Sequence, residues 1–274
     1  MNRERRRSIL IAGARGAGTS VYAVSLVHWQ QAEKERARLC LLPADGDAAR
    51  WVNTRVSVHR DGVAVAPRLT TSARPHRFRL YQLDAPSAQT SRSTAVVGDV
   101  SCWSGAINLG SDAGEPGVAR DLLAEVARAH ALVLLVPALP PVADANGGVA
   151  RSWLRRVLKQ MRDVVAQAHD CGAREVPFDP STNTLTCPVA LCVSQIDHAP
   201  DAERREARSW VESVIGERAA MLDEFLSRHM PFKLTSMGRT PQPSQRGAFI
   251  QGRPEPRGIL APLHWVLEQT GVRQ

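Results

Sequence analysis

Ser8-Ile9-Leu10-Ile11-Ala12-Gly13-Ala14-Arg15-Gly16-Ala17-Gly18-Thr19-Ser20-Val21 is an apolar run that breaks into a glycine-rich turn and then into a segment of helical character. A strand, a turn and a helix in that order make an anion cradle. Glycines let backbone N–H groups close around a phosphate, and the positive end of the helix adds to the attraction. The full phosphate-loop pattern is G-x-x-x-x-G-K-[ST], in which the lysine reaches the β- and γ-phosphates and the hydroxyl after it holds Mg²⁺. Gly13, Gly18 and Ser20 take their places in it, with Ala14, Arg15, Gly16 and Ala17 between the glycines, but Thr19 stands where the lysine belongs. Without that lysine the turn is also compatible with an ordinary strand-to-helix connection. The dinucleotide pattern G-x-G-x-x-G fits worse, since Arg15 falls on a glycine position of a frame from Gly13, and Val21 on one of a frame from Gly16.

The chain has 274 residues, 43% of them hydrophobic, which is enough to bury one large core. The expected organisation is a single domain over 1–274 with loop insertions at about 88–117, 171–187 and 239–256. Eighteen prolines and nineteen glycines suit long connections. No apolar run approaches the roughly 20 residues of a membrane span. Residues 1–7 are basic, but the apolar stretch behind them is only a strand long, so a signal peptide is not expected and a cytoplasmic location is. The five cysteines are odd in number and form no C-x-x-C pair, against both a disulfide framework and a zinc site. A net charge of +8 raises nucleic acid as a partner; with the arginines scattered and aromatics at 5%, that class is disfavoured.

Strands and helices then alternate along the chain. Residues 8–12 are the first strand, Thr19 to about Arg36 a helix, and 38–42 a second apolar run. Asp61-Gly62 between 56–58 and 63–65 suggests a hairpin. Residues 77–83 alternate and lead to Asp84, while 88–117 read as a loop with little regular structure. A helix follows from about 118 to 130. Residues 131–136 are an unbroken apolar run, the mark of a parallel strand buried on both faces. An amphipathic helix spans about 152–169, and 188–197 form a buried strand that ends in Asp197. A long charged helix covers 202 to about 229, with a short strand at 232–238 and a closing helix at 258–267. The fold class is therefore α/β, with a mostly parallel central sheet and helices on both faces, and ligands on such sheets bind beyond the carboxyl ends of the strands.

In this order the features resemble small P-loop GTPases of the translation-factor and Ras-like (TRAFAC) class, bacterial GTPase-like proteins among them. Gly13–Ser20 is similar to the phosphate loop, Asp84-Ala85-Pro86-Ser87 to D-x-P-G, Ser194-Gln195-Ile196-Asp197 to [NT]-K-x-D, and Thr235-Ser236-Met237 to T-S-A. The resemblance implies GTP or GDP with Mg²⁺ as ligands. It implies that Ser20, Asp84 and one of Thr70 and Thr71 hold the metal, and that Asp197, Ser236 and Met237 face the guanine. Gln89 is the candidate for positioning the attacking water. On the residues alone, Asp84 reads first as a helix or turn cap, and Asp197 equally as the cap of a helix beginning near Asp201.

The missing lysine divides the functional expectations. The first is a weakly active or inactive GTPase-like module, a scaffold for a protein partner in a bacterial complex. The second is a guanine-nucleotide switch with slow, partner-assisted hydrolysis, Arg15 substituting for the lysine. The third is a basic module that binds nucleic acid or a membrane surface.

Overall fold

The computed structural model describes residues 6–14, 16–32, 39–60, 75–83, 94–108, 117–138, 153–173, 175–196, 206–209, 220–236, 242–244, 247–249 and 255–271. The central sheet is built from β1 (Arg7–Ala14), β2 (Leu39–Pro43), β3 (His76–Leu83), β4 (Thr94–Asn108), the short β5 (Gly117–Val118), β6 (Ala131–Pro137), β9 (Val189–Ser194) and β10 (His229–Lys233). Its order is β10-β9-β6-β1-β4-β3-β2, with β5 paired to the end of β4. The five strands from β10 to β4 run parallel, and β3 is antiparallel to both β4 and β2.

Hydrophobic pattern explains these positions. Every residue of β6 and β9 is buried, so both faces of the sheet centre are covered. In β3 the buried Phe78 and Leu80 alternate with the exposed Arg77 and Arg79, as suits a strand with one solvated face. The helices are α1 (Thr19–Ala32), α2 (Gly46–Arg60), α3 (Arg120–Val126), α4 (Trp153–Asp170), α5 (Ala220–Asp223) and α6 (Ala261–Gln269). Helices α1 and α2 pack on each other and on the β2 side of the sheet, whereas α4 packs on α3 and β5. The stripe Leu154, Val157, Leu158, Met161 and Val165 is buried, as its spacing predicts.

Three sequence expectations fail here. Residues 56–58 are not a hairpin strand but part of α2. Asp45 starts that helix by accepting the Ala48 amide on Oδ1 at 2.7 Å, and Ala48 and Val52 are buried one turn apart. The expected loop at 88–117 holds β4, fifteen residues long and next to β1. Its Gly98 allows the two backbones to approach, since a Cβ there would lie 2.9 Å from the Arg7 carbonyl oxygen. The helix expected to reach residue 229 stops at Asp223, because Leu185 then donates its amide to the Phe225 carbonyl and accepts the Ser227 amide in a bridge opposite Leu226, and β10 begins at His229. The other two expected insertions carry short hairpins, β7 (Phe178–Asp179) with β8 (Thr184–Leu185), and β11 (Gln242–Ser244) with β12 (Gly247–Phe249).

Candidate phosphate-loop site

The turn after β1 lies at the carboxyl end of the parallel strands, with Gly13 level with Leu135 of β6 and Ser104 of β4. Ala17 closes it by donating its amide to the Ala14 carbonyl at 2.9 Å, and Tyr22 donates to Gly18 at 2.8 Å to begin α1. Gly16 and Gly18 have φ of 85° and 75°, left-handed values that glycine adopts without strain. Successive amides in such a turn form an anion nest. Arg15 lies outside the described residues.

Side chains from the end of β9 hold the loop in this shape. The Ser194 hydroxyl donates to the Ala17 carbonyl at 2.7 Å and shares its proton with Val136 at 3.2 Å, and Gln195 Nε2 donates to the Gly16 carbonyl at 2.9 Å. Gln195 itself sits at φ 61°, a conformation that is costly for a residue with a Cβ. Its amide is therefore committed to the loop backbone.

Thr19 and Ser20 both turn away from the role their positions imply. Thr19 is 2% exposed, and its buried Oγ1 has no hydrogen-bond partner among the described residues. That oxygen fills the space beside Gly13, only 2.0 Å from where a Cβ would stand. Ser20 Oγ makes a 2.7 Å hydrogen bond with Ser104 Oγ of β4.

This pairing bears on the expected metal site. The strand beside β1 is β4, not the β3 that precedes Asp84. Antiparallel β3 ends with Leu83 opposite Thr94, at the start of β4, whereas the phosphate loop stands ten residues further along, level with Ser104. At about 3.3 Å per residue those points are some 30 Å apart along the strand. Strand β3 therefore ends at the opposite end of the sheet from the loop. Asp84, Thr70, Thr71, Gln89, Asp197 and Met237 lie outside the described residues. Next to Ser20 the described residues offer a second hydroxyl and no carboxylate, and no cluster of three acidic, histidine or cysteine side chains forms among them. Mg²⁺ prefers charged oxygen ligands, and the described residues beside Ser20 supply none.

Ser236 is buried, and its carbonyl accepts the Ser25 hydroxyl of α1 at 3.1 Å, so the end of β10 is brought against the helix that the loop starts. Buried Tyr22 donates to the Ile259 carbonyl at 2.9 Å and ties the approach to α6 to the same helix. Burial pushes its phenol well above the usual range. Sequence reasoning missed Ser104 altogether and missed the tie made by Gln195. The alternation of Arg77, Phe78, Arg79 and Leu80 was the available signal that β3 flanks the sheet centre.

No protein-family model matches the chain, and no curated protein does. Among solved structures it is similar to SRb in the signal recognition particle receptor SRb-GTP/SRX complex from Chaetomium thermophilum, at 14% identity, 86% of this chain, 93% of that one and a TM-score of 0.39. It is also similar to the S. cerevisiae Ski7 GTPase-like domain bound to GDP and inorganic phosphate, at 9% identity, 98% and 51% of the two chains and a TM-score of 0.39. A mutation variant of SsGBP matches at 9% identity and a TM-score of 0.38, with 98% of this chain covering 58% of that one. The chain thus spans little more than half the length of two of these three structures. At such TM-scores the likenesses carry no argument, and the α/β fold with its mostly parallel sheet rests on the strand order itself.

Proposed function

We propose that the chain is a GTPase-like phosphate-loop domain that has given up metal-assisted hydrolysis and serves as a protein-interaction module. The observation that carries this reading is the Ser20 to Ser104 hydroxyl pair. In phosphate-loop enzymes this serine position faces Mg²⁺, and a strand-end aspartate helps hold the ion. A neutral hydroxyl in place of the carboxylate favours self-pairing of the two serines over capture of a cation. Thr19 adds to the loss. A lysine contact to phosphate is charge-assisted and contributes about 1.5–3 kcal/mol, whereas the Thr19 hydroxyl is buried beside Gly13. The loop shape is kept by Ser194 and Gln195, bonds internal to the chain that need no nucleotide.

The retained glycine geometry favours one alternative, a guanine-nucleotide switch in which the amides of 16–20 still cradle phosphate. Thermal melts with GTP, GDP and ATP, each with and without Mg²⁺, separate the two. A ligand at about 100 times its Kd adds about 2.7 kcal/mol to stability. The expected result is no Mg²⁺-dependent rise with any nucleotide. A rise specific to GTP that requires Mg²⁺ overturns the proposal, as does GTP or GDP released from the purified protein on denaturation.

A further inference from the structure

The opposite pole of the sheet carries a cavity. About 600 Å³ in volume, it opens where the parallel strands begin, its wall including Arg7 at the start of β1, Arg128 and His130 before β6, Cys187 before β9, Arg228 before β10, and Glu175. That volume is in the range of small-molecule pockets, about 300–1,000 Å³.

Its charge is one-sided. Among the described residues three arginines and a single glutamate line it. Arg228 is fixed in the wall by donating to the Thr186 carbonyl at 3.1 Å and the Gln269 carbonyl at 3.5 Å. Carbonyls orient a guanidinium without neutralising it. Neither Arg7 nor Arg128 has a carboxylate within ion-pair distance among the described residues. His130 accepts the Ser8 amide on Nδ1 at 3.1 Å, which fixes its ring in the wall. Guanidinium forks match phosphate oxygens in geometry and charge.

The remaining wall narrows the ligand. Burial pushes the Cys187 thiol up to about 12 against the opposing pull of Arg228, so the wall holds a neutral thiol and no nucleophile. Among the described residues no Phe, Tyr or Trp lines the cavity, and its one aromatic ring, His130, is held by the Ser8 amide, so the wall offers a nucleobase little to stack on. We propose that this cavity binds a small phosphate monoester on a hydroxylated aliphatic body, of the sugar-phosphate class, with Arg7, Arg128 and Arg228 taking the phosphate and Glu175 the hydroxyls. The site is independent of the phosphate loop at the other pole.

The test is calorimetric titration of the full chain with ribose 5-phosphate, and with ribose as the uncharged control. Ribose 5-phosphate is expected to bind and ribose not to. The double variant Arg7→Gln/Arg128→Gln is expected to weaken binding about tenfold or more, since each lost fork removes charge-assisted hydrogen bonds. If that variant fails to fold, Arg128→Gln on its exposed turn must weaken binding at least about threefold. Absence of binding overturns the assignment. So does affinity unchanged in the variants, which would place the phosphate elsewhere, the phosphate loop included.

Discussion

At the scale of single residues, the site turns on the hydroxyl of Thr19. Among the described residues its Oγ1 is buried without a partner beside Gly13, and an unpaired buried polar group costs about 1–3 kcal/mol. Thr19→Val keeps the shape and removes that burden. It is expected to raise unfolding free energy by up to about 1 kcal/mol in a denaturant titration; a fall would mean that the hydroxyl is paired in solution. Gly13 is the counterpart. Gly13→Ala would set a Cβ 2.0 Å from that oxygen and 3.1 Å from Leu135 Cβ, so the variant is expected to lose about 1–3 kcal/mol through overpacking. In a Thr19→Ala background the loss should fall by more than half, because the nearest obstacle is gone. Equal losses in the two backgrounds, read as a double-mutant cycle, would show that the residues do not share the space.

At the scale of elements, the loop is held by the strands beside it rather than by its own sequence. Ser194, at the end of β9, satisfies the Ala17 carbonyl across 177 positions of chain. Ser194→Ala leaves that carbonyl unpaired in a buried site and is expected to cost about 1–3 kcal/mol, whereas Ser104→Ala at the half-buried Ser20 contact should cost about 0.5–1.5 kcal/mol. Chemical denaturation of the two variants checks the order, and a reversed order would make β4 the main support of the loop. The same contrast explains what was legible in the sequence. Strands β1, β6 and β9 announce themselves as unbroken apolar runs, and the glycines at 13, 16 and 18 mark the turn. Strand β4 does not, because Gly98, Ser101, Ser104 and Gly105 dilute its alternation, and close backbone approach rather than side-chain bulk seats it against β1. Strand direction is a tertiary property, and nothing local to residues 76–83 says that β3 runs antiparallel to β4. Ser194 and Gln195 resemble a degenerate base-recognition motif in the sequence, and their side chains bond to loop carbonyls, a role that depends on which backbone lies opposite.

At the scale of the whole molecule, one continuous core joins the two poles, and it buries ionisable groups in their neutral form. Cys187 lies just before β9 and Cys192 within it, and Tyr22 faces the same core from α1. Burial pushes the Cys187 thiol up to about 12 and raises both the Cys192 thiol and the Tyr22 phenol well above their usual values. In the unfolded chain a thiol ionises near pH 8.5 and a phenol near pH 10. Above about pH 8.5 the unfolded state therefore sheds protons that the folded state keeps, and stability falls as pH rises. Below that pH the stabilisation from these groups is complete; it is lost progressively from about pH 8.5 toward pH 12. Each fully divergent group contributes a slope of about 1.4 kcal/mol per pH unit. Melts between pH 7 and 10.5 should show a plateau to about pH 8.5 and then a decline, with the two thiols leading and the phenol adding near the top. Cys187→Ala/Cys192→Ala is expected to lower the plateau through lost packing but to flatten the decline. A decline equally steep in that variant would assign it to other groups and show that these thiols do not stay neutral in the folded core.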